Sequence, residues 1–418
     1  MTVSIFQVPT LAWYGNSNLT LQFPSEWQVH FCPMAGHYRP AISVKQIGYA
    51  IRNPVGTKTI AQLAEHRKEA VIIFDDMTRP THASEVVPFV LEQLRLGGIT
   101  EEHVRFVAAL GAHGACDRID FAKKLGDDIV ERFPVYNHSA FTNLVALGKT
   151  SRGTPVEVNA EVMACDLKIG IGCVVPHPDA GFGGGGKIII PGVASLEAIR
   201  FNHGNVGGVQ GLDMDTLNPT VGWGKFERNI LRLDIEEGAR MASLDFKIDV
   251  IVNGRGESTY AFAGDFIAEH RQAAKVGKEV YVTKGAEDPD IVVANTFAKA
   301  NEAVLAALSP VVKMKNNGTL VIVANAPDGQ VTHYLVGKFG RRIGGPLYAP
   351  TPSKFKRIIV YSQYNVPDPF LPIAEKGEVI YTKEWTEVLE MLRTMHHDRP
   401  KVALCPNADI QITPNEIE

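Results

Sequence analysis

The 418-residue chain lacks any run of apolar residues approaching the roughly 20 needed to cross a bilayer. Its start, MTVSIFQVPTLAWYGNSNLT, has no basic cluster ahead of an apolar stretch, so no secretory leader is expected there. Cysteines are few: five, odd in number, widely spaced and without a C-x-x-C pair. A disulfide framework and a cysteine-rich zinc site are both disfavoured, and a reducing cytoplasmic setting fits best. Neither sign of charge dominates, with 42 Lys and Arg against 46 Asp and Glu, a net −4. Nucleic acid and membrane surfaces are therefore not expected as main partners. A small anionic substrate stays open, because local groups decide that. There is no internal repeat, and a single glycine run is the one low-complexity tract.

What is present is an ordinary globular composition, 45% hydrophobic and 21% charged, at a length that favours two domains. EAVIIFDD (69–76), HVRFVAAL (103–110) and CDLKIGIGCVV (165–175) read as strands, each running straight into a polar motif. In an open α/β sheet, ligands bind beyond the carboxyl ends of the strands. Three motifs distant in sequence are thus expected at one rim. After the first strand, Thr81 or Ser84 is placed to cap a helix with Val86, Val87, Val90, Leu91 and Leu94 as its apolar face. Further along, KEVYVTKG, DIVVANTF, GTLVIVANA, RIIVYSQY and EVIYT read as strands, and NEAVLAALSPVVKM and TEVLEMLRTMHH as helices. The pattern predicts two α/β domains, residues 1–270 and 271–418, divided within EHRQAAKVGK.

Four motifs carry chemistry. DDMTRPT sets Asp76, Thr78 and Arg79 at a strand end, where an arginine offers a planar fork to a carboxylate or phosphate. The plainer reading is a turn with a surface salt bridge. LGAHGA leaves His113 open to a ligand between small residues, and histidine is the side chain best suited to proton transfer near neutral pH. VVPHPDAGFGGGGKIIIPG (174–192) combines His177, the glycines Gly183, Gly184, Gly185 and Gly186, and Lys187. Such glycines leave backbone N–H groups bare for an anion. The spacing fits neither the nucleoside-triphosphate loop nor the dinucleotide fingerprint, and IIIPG cannot continue as a phosphate-loop helix. The apolar flanks imply a loop anchored in the core. FNHGN adds His203, and three histidines with a lysine are compatible with a metal centre.

Taken together, D-x-T-R-P, G-x-H, P-H-x-x-A-G-F-x-G-G-x-K and the later N-H resemble the nickel-dependent lactate racemase family, which includes other 2-hydroxy-acid racemases and epimerases. WYGNSNLTLQFPSEWQV, SLDFKIDVIVNGRGESTYAFAGDFIAEH and PKVALCPNADIQITP extend the resemblance over most of the chain. It implies two α/β domains with the active site in the cleft between them. It implies a nickel pincer nucleotide tethered covalently to Lys187, with His203 as the nickel ligand and Asp76, Thr78 and Gly183 to Gly186 around the cofactor. His113 and His177 match the acid/base pair, and Arg79 matches the substrate-facing arginine. The implied reaction inverts a 2-hydroxy acid by hydride transfer from Cα. Implied partners are that small acid and the proteins that make and load the cofactor; a host without them leaves Lys187 a free amine. A homo-oligomer stays open.

Some positions depart from the family pattern. Gly114 replaces an arginine and Gly184 a serine, while Ala298, Lys299 and Glu302 stand where a tyrosine–glutamine pair and a lysine are usual. Lys299 is expected to supply the missing charge at the substrate. A hydroxy acid larger than lactate, or differently charged, is as good an expectation as lactate. Two other readings remain: a metal-dependent hydrolase using the same histidines, and a non-catalytic relative that binds a sugar acid or nucleotide.

Overall fold

The computed structural model describes residues 2–208, 218–336, 355–365, 379–396 and 399–416. Two six-stranded sheets organise the chain. The first runs Ser258–Gly264, Phe246–Val252, Leu167–Cys173, Ala70–Asp75, Val104–Ala109 and Val135–Asn137 from edge to edge. All its neighbours pair in parallel except the edge strand Ser258–Gly264. The second runs Val379–Thr382, Phe355–Tyr361, Gly318–Val323, Ile291–Asn295, Lys401–Cys405 and Gln28–Phe31, parallel throughout.

Parallel sheets are covered on both faces, and the sequence meets that demand with unbroken apolar runs. In AVIIFD, Ala70, Ile72 and Phe74 enter one core while Val71 and Ile73 enter another. The second sheet repeats the arrangement, with Val292 and Ala294 on one side and Ile291 and Val293 on the other. A further cluster joins the layers, setting Cys173, Val174 and Phe182 against Ala298, Ile410 and Ile412. The carboxyl ends of the two sheets come together through the bridge between His113 and His333, with Gly114 N–H donating to Thr332 O at 2.9 Å.

Several expectations need correction. Residues 3–31 precede every element of the first sheet yet pack on the second: Gln28–Phe31 pairs with Lys401–Cys405, and Leu21, Phe23 and Trp27 join that sheet's core. The stretch EHRQAAKVGK is no linker, because it lies inside the helix Ala268–Tyr281. That helix also absorbs KEVY, whose Val280 and Tyr281 are buried at helical spacing. NEAVLAALSPVVKM forms only a turn, Ala300–Glu302, and a four-residue helix, Leu305–Leu308. Neither Thr81 nor Ser84 caps Val87–Leu96; the cap position is Val86, and the Thr81 hydroxyl instead donates to Asp75 Oδ2 at 2.5 Å. No helix among the described residues is long and apolar enough to cross a membrane.

Candidate active site

The turn after Ala70–Asp75 is built by Asp76. Its Oδ1 accepts from the Thr78 N–H at 2.9 Å and the Thr78 hydroxyl at 2.5 Å, an Asx turn. Its Oδ2 meets His113 Nδ1, on the loop after the neighbouring strand, at 2.6 Å. Arg79 Nη1 donates to Thr78 O, Thr78 Oγ1 and Glu302 Oε2 at 2.9, 2.7 and 2.9 Å. Glu302 arrives from the second layer on the turn Ala300–Glu302, and its Oε1 lies 3.4 Å from His113 Nε2. Gln330 clamps that turn, donating to Ala300 O and accepting from Ala303 N–H, each at 2.8 Å.

His113 therefore has a carboxylate at each ring nitrogen. Burial opposes its proton, but Asp76 and Glu302 outweigh burial and push the pKa up to about 9. Both carboxyls resist burial in turn: His113 holds Asp76 below its ordinary range, and Arg79 holds Glu302 below its own. The cluster Asp76–His113–Glu302–Arg79 alternates in sign.

His177 meets the opposite surroundings. Its Nδ1 accepts from the Asp179 and Ala180 N–H groups at 3.1 and 3.3 Å. The ring proton is thereby assigned to Nε2, which is 3.3 Å from Lys187 Nζ. A donor N–H facing an amine requires the amine to offer its lone pair, so the geometry matches neutral Lys187. Burial, then Arg232 and Arg79, drives Lys187 well below the ordinary lysine range. Burial, then Lys187, drives His177 well below the ordinary histidine range.

His203 sits on a π-helical turn, Phe201–Val206, a distortion often found at functional sites. Its Nδ1 lies 3.1 Å from Ile199 O, which assigns the proton there and leaves Nε2 a lone pair. Burial and then Lys187 bring its pKa down to about 3. Asp76, Thr78, Arg79, His113, His177, Lys187, His203 and Glu302 all line one cavity of about 460 Å³.

A profile of the lactate racemase N-terminal domain matches residues 14–211. A lactate racemase of Thermoanaerobacterium thermosaccharolyticum is 30% identical over 325 residues, covering 76% of this chain and 74% of that protein. The chain belongs to the lactate racemase family. A second lactate racemase, from Lactiplantibacillus plantarum, is 27% identical over 326 residues, again 76% and 74% of the two chains. The fold agrees: the structure of the lactate racemase apoprotein from T. thermosaccharolyticum superposes with a TM-score of 0.72 at 22% identity, covering 98% of this chain and 100% of that one. A Thermotoga maritima protein superposes at 0.62 and 18% identity, covering 88% and 97%.

In this member of the lactate racemase family, two expected assignments change. Lys299 is fully buried and does not line the cavity; its Nζ donates to Pro176 O at 3.1 Å, tying the second layer to the His177 strand. Burial, then Arg79, brings its pKa down to about 8. The second layer's lining instead comes from Glu302, Val304, Leu305, Leu308, His333, Leu335 and Val336. The glycine run is only partly open to the cavity. Gly183 and Gly184 line the cavity, whereas Gly185 and Gly186 do not. The Gly183 N–H bonds Val175 O at 2.7 Å and the Gly185 N–H bonds Asp249 Oδ2 at 2.6 Å. The glycines serve close packing: Gly184 has φ +74°, and a Cβ there would lie 2.5 Å from Asp249 Oδ2.

Residues missed in the sequence support this loop from below. Arg232 Nε donates to Ala180 O at 3.1 Å, and its Nη2 donates to Phe182 O. His270 Nε2 lies 2.9 Å from Gly183 O. Asp249 also pairs with fully buried Lys247 at 2.5 Å. A signal for that pair was present in FKIDVIV, where opposite charges two apart share one face of a wholly buried strand.

Proposed function

We propose that the chain interconverts the enantiomers of a 2-hydroxy acid, using a nickel pincer nucleotide attached to Lys187 with His203 as the protein's nickel ligand. The residues fit that group. Lys187 presents a buried neutral amine, the form able to make a covalent bond. His203 presents an unprotonated Nε2 to the same cavity. When bound, the group supplies a reversible acceptor for the hydrogen and electron pair of the substrate Cα–H bond.

The chain supplies the proton chemistry. A 2-keto acid is planar at the former stereocentre, so hydrogen returned to the opposite face gives the other enantiomer. The two enantiomers present their hydroxyls on opposite sides, so two imidazoles are needed. Neutral His177 is in the state to accept the hydroxyl proton of one enantiomer, and protonated His113 is in the state to give a proton to the keto oxygen for the other. One turnover exchanges their protonation states; the reverse reaction restores them directly, and between turnovers in one direction His177 loses its proton to water and His113 regains one from it. Arg79 fixes the substrate carboxylate. The observation that carries this reading is the meeting of two oppositely tuned imidazoles with Lys187, His203 and Arg79 in one cavity.

The hydrolase reading has less support. A zinc-hydrolase centre uses about three protein ligands, and among the described residues no group of three His, Cys, Asp or Glu side chains is placed to hold a metal ion. A purely binding relative has no use for one protonated and one neutral imidazole.

The test is chiral analysis of a 2-hydroxy-acid panel with protein produced alongside the cofactor-synthesis proteins, together with intact-mass measurement. Inversion of at least one acid, added mass located on Lys187, and loss of both in Lys187→Ala are expected. Loaded protein that inverts no acid and exchanges no Cα hydrogen would overturn the reading.

A further inference from the structure

Beyond its charged groups and His333, the cavity is lined by a set of apolar side chains. Val304, Leu305 and Leu308 come from the segment after Glu302, and Ile199 and Leu335 complete this apolar wall. The short helix Leu305–Leu308 explains the first group. Its Ala306 and Ala307 are buried in the second sheet's core, while Leu305 and Leu308, three apart and so on one face, line the cavity. Val304, Leu305 and Leu308 stay only half-buried, whereas Ile199 and Leu335 are buried against Ala112. Val304 and Leu308 also pack against the flanking cores, so the fold fixes these apolar side chains while they face the cavity.

We propose that this wall is the subsite for the substrate's side chain, and that the preferred 2-hydroxy acid carries a branched-alkyl or aryl group rather than the methyl of lactate. The inference rests on the reading of the site as a 2-hydroxy-acid racemase. Glu302 stands two residues before Val304, so the polar cluster with Arg79 and His113 and the apolar wall adjoin along one turn. A 2-hydroxy acid matches that division, with its carboxylate and hydroxyl at the cluster and its third substituent at the wall. The five side chains offer no donor or acceptor, so a polar substituent placed there would lose its water without replacement. An apolar one gains about fourfold in affinity per buried carbon. A methyl group reaches little of such a surface.

The test compares lactate, 2-hydroxybutyrate, 2-hydroxy-4-methylpentanoate and 3-phenyllactate in two arms. In the first, kcat/KM for inversion is measured with cofactor-loaded protein. In the second, calorimetry measures binding of the same acids to loaded and cofactor-free protein. The expected result is a rise of at least tenfold from lactate to the branched or aryl acid, carried by KM in the first arm and Kd in the second. Leu305→Asn flattens the series, lowering the branched and aryl acids more than lactate. Leu305→Met, which keeps the apolar surface, retains the slope, and Leu308→Asn replaces Leu305→Asn if the latter fails to fold. A flat series, a preference for hydroxylated side chains, or equal loss for every acid in the asparagine variants would overturn the wall as a side-chain subsite, as would binding of none of the acids. Binding that follows the expected series without any inversion would leave the wall standing and overturn the racemase reading instead.

Discussion

His113 and His177 are one kind of side chain at the edge of one cavity, and their surroundings shift them in opposite directions. Both are largely buried, so depth does not separate them. Their neighbours do. His113 lies between two carboxylates, one from the strand end at Asp76 and one from the second layer at Glu302. His177 lies between two backbone N–H groups and a lysine amine. The same comparison extends to the walls. The first layer brings Lys187, His203 and Arg79, while the second brings the Glu302 carboxylate, the His333 ring and apolar side chains. A proton donor and a proton acceptor are thus made from identical rings by elements far apart in the chain.

The comparison can be broken from either side. The largest effect is expected from removing a ring. His113→Asn and His177→Asn should each lower inversion about 10²- to 10⁴-fold, and hydrogen exchange at Cα measured from each pure enantiomer should fall unequally, with opposite preference in the two variants. Equal loss for both enantiomers in both variants would contradict separate roles. Next comes Asp76→Asn, which removes the carboxylate 2.6 Å from His113. Its pKa should fall from about 9 towards the ordinary value near 6.5, moving the alkaline limb of the kcat/KM profile to lower pH.

The same shift bears on stability. The folded His113 pKa lies above the unfolded one, so its contribution is complete below about pH 6.5 and is lost as pH rises through about 9. Urea titrations across that window should show stability falling, and Asp76→Asn should flatten the fall. Gly184→Ala comes next: a residue at φ +74° with Cβ against Asp249 should destabilise by about 1–3 kcal/mol by thermal or urea unfolding. The smallest effect is expected from Glu302→Gln. Its contact with His113 is 3.4 Å, against 2.6 Å for Asp76, so the pH profile should move in the same direction but less far.

Much of this was legible in the sequence, for a local reason. The runs at Ala70–Asp75, Val104–Ala109 and Leu167–Cys173 are buried on both faces, so they read as strands without reference to partners. Their carboxyl ends deliver Asp76, Arg79, His113 and His177 to one rim, as parallel pairing requires. What was not legible depended on partners. Nothing in QVHF says that it will pair with Lys401–Cys405, more than 350 residues away. KEVYV alternates like a strand, yet its first four residues finish a helix begun at Ala268. Lys299 carries the charge expected at the substrate, but local backbone direction turns it to Pro176, while Leu305 and Leu308 face the cavity. The glycine run was read as bare N–H groups for an anion; the groups that approach it most closely are Asp249 and His270, which no local pattern announces.

The opposed protonation of the two rings is open to direct measurement by nitrogen-15 NMR titration of histidine-labelled protein, with His113→Asn and His177→Asn supplying the assignments. The expected result is a His113 imidazolium that persists at neutral pH and titrates near 9, beside a His177 ring that is neutral and protonated at Nε2 at pH 7. Titration of His113 at or below its ordinary value, or a His177 ring charged at pH 7, would contradict it.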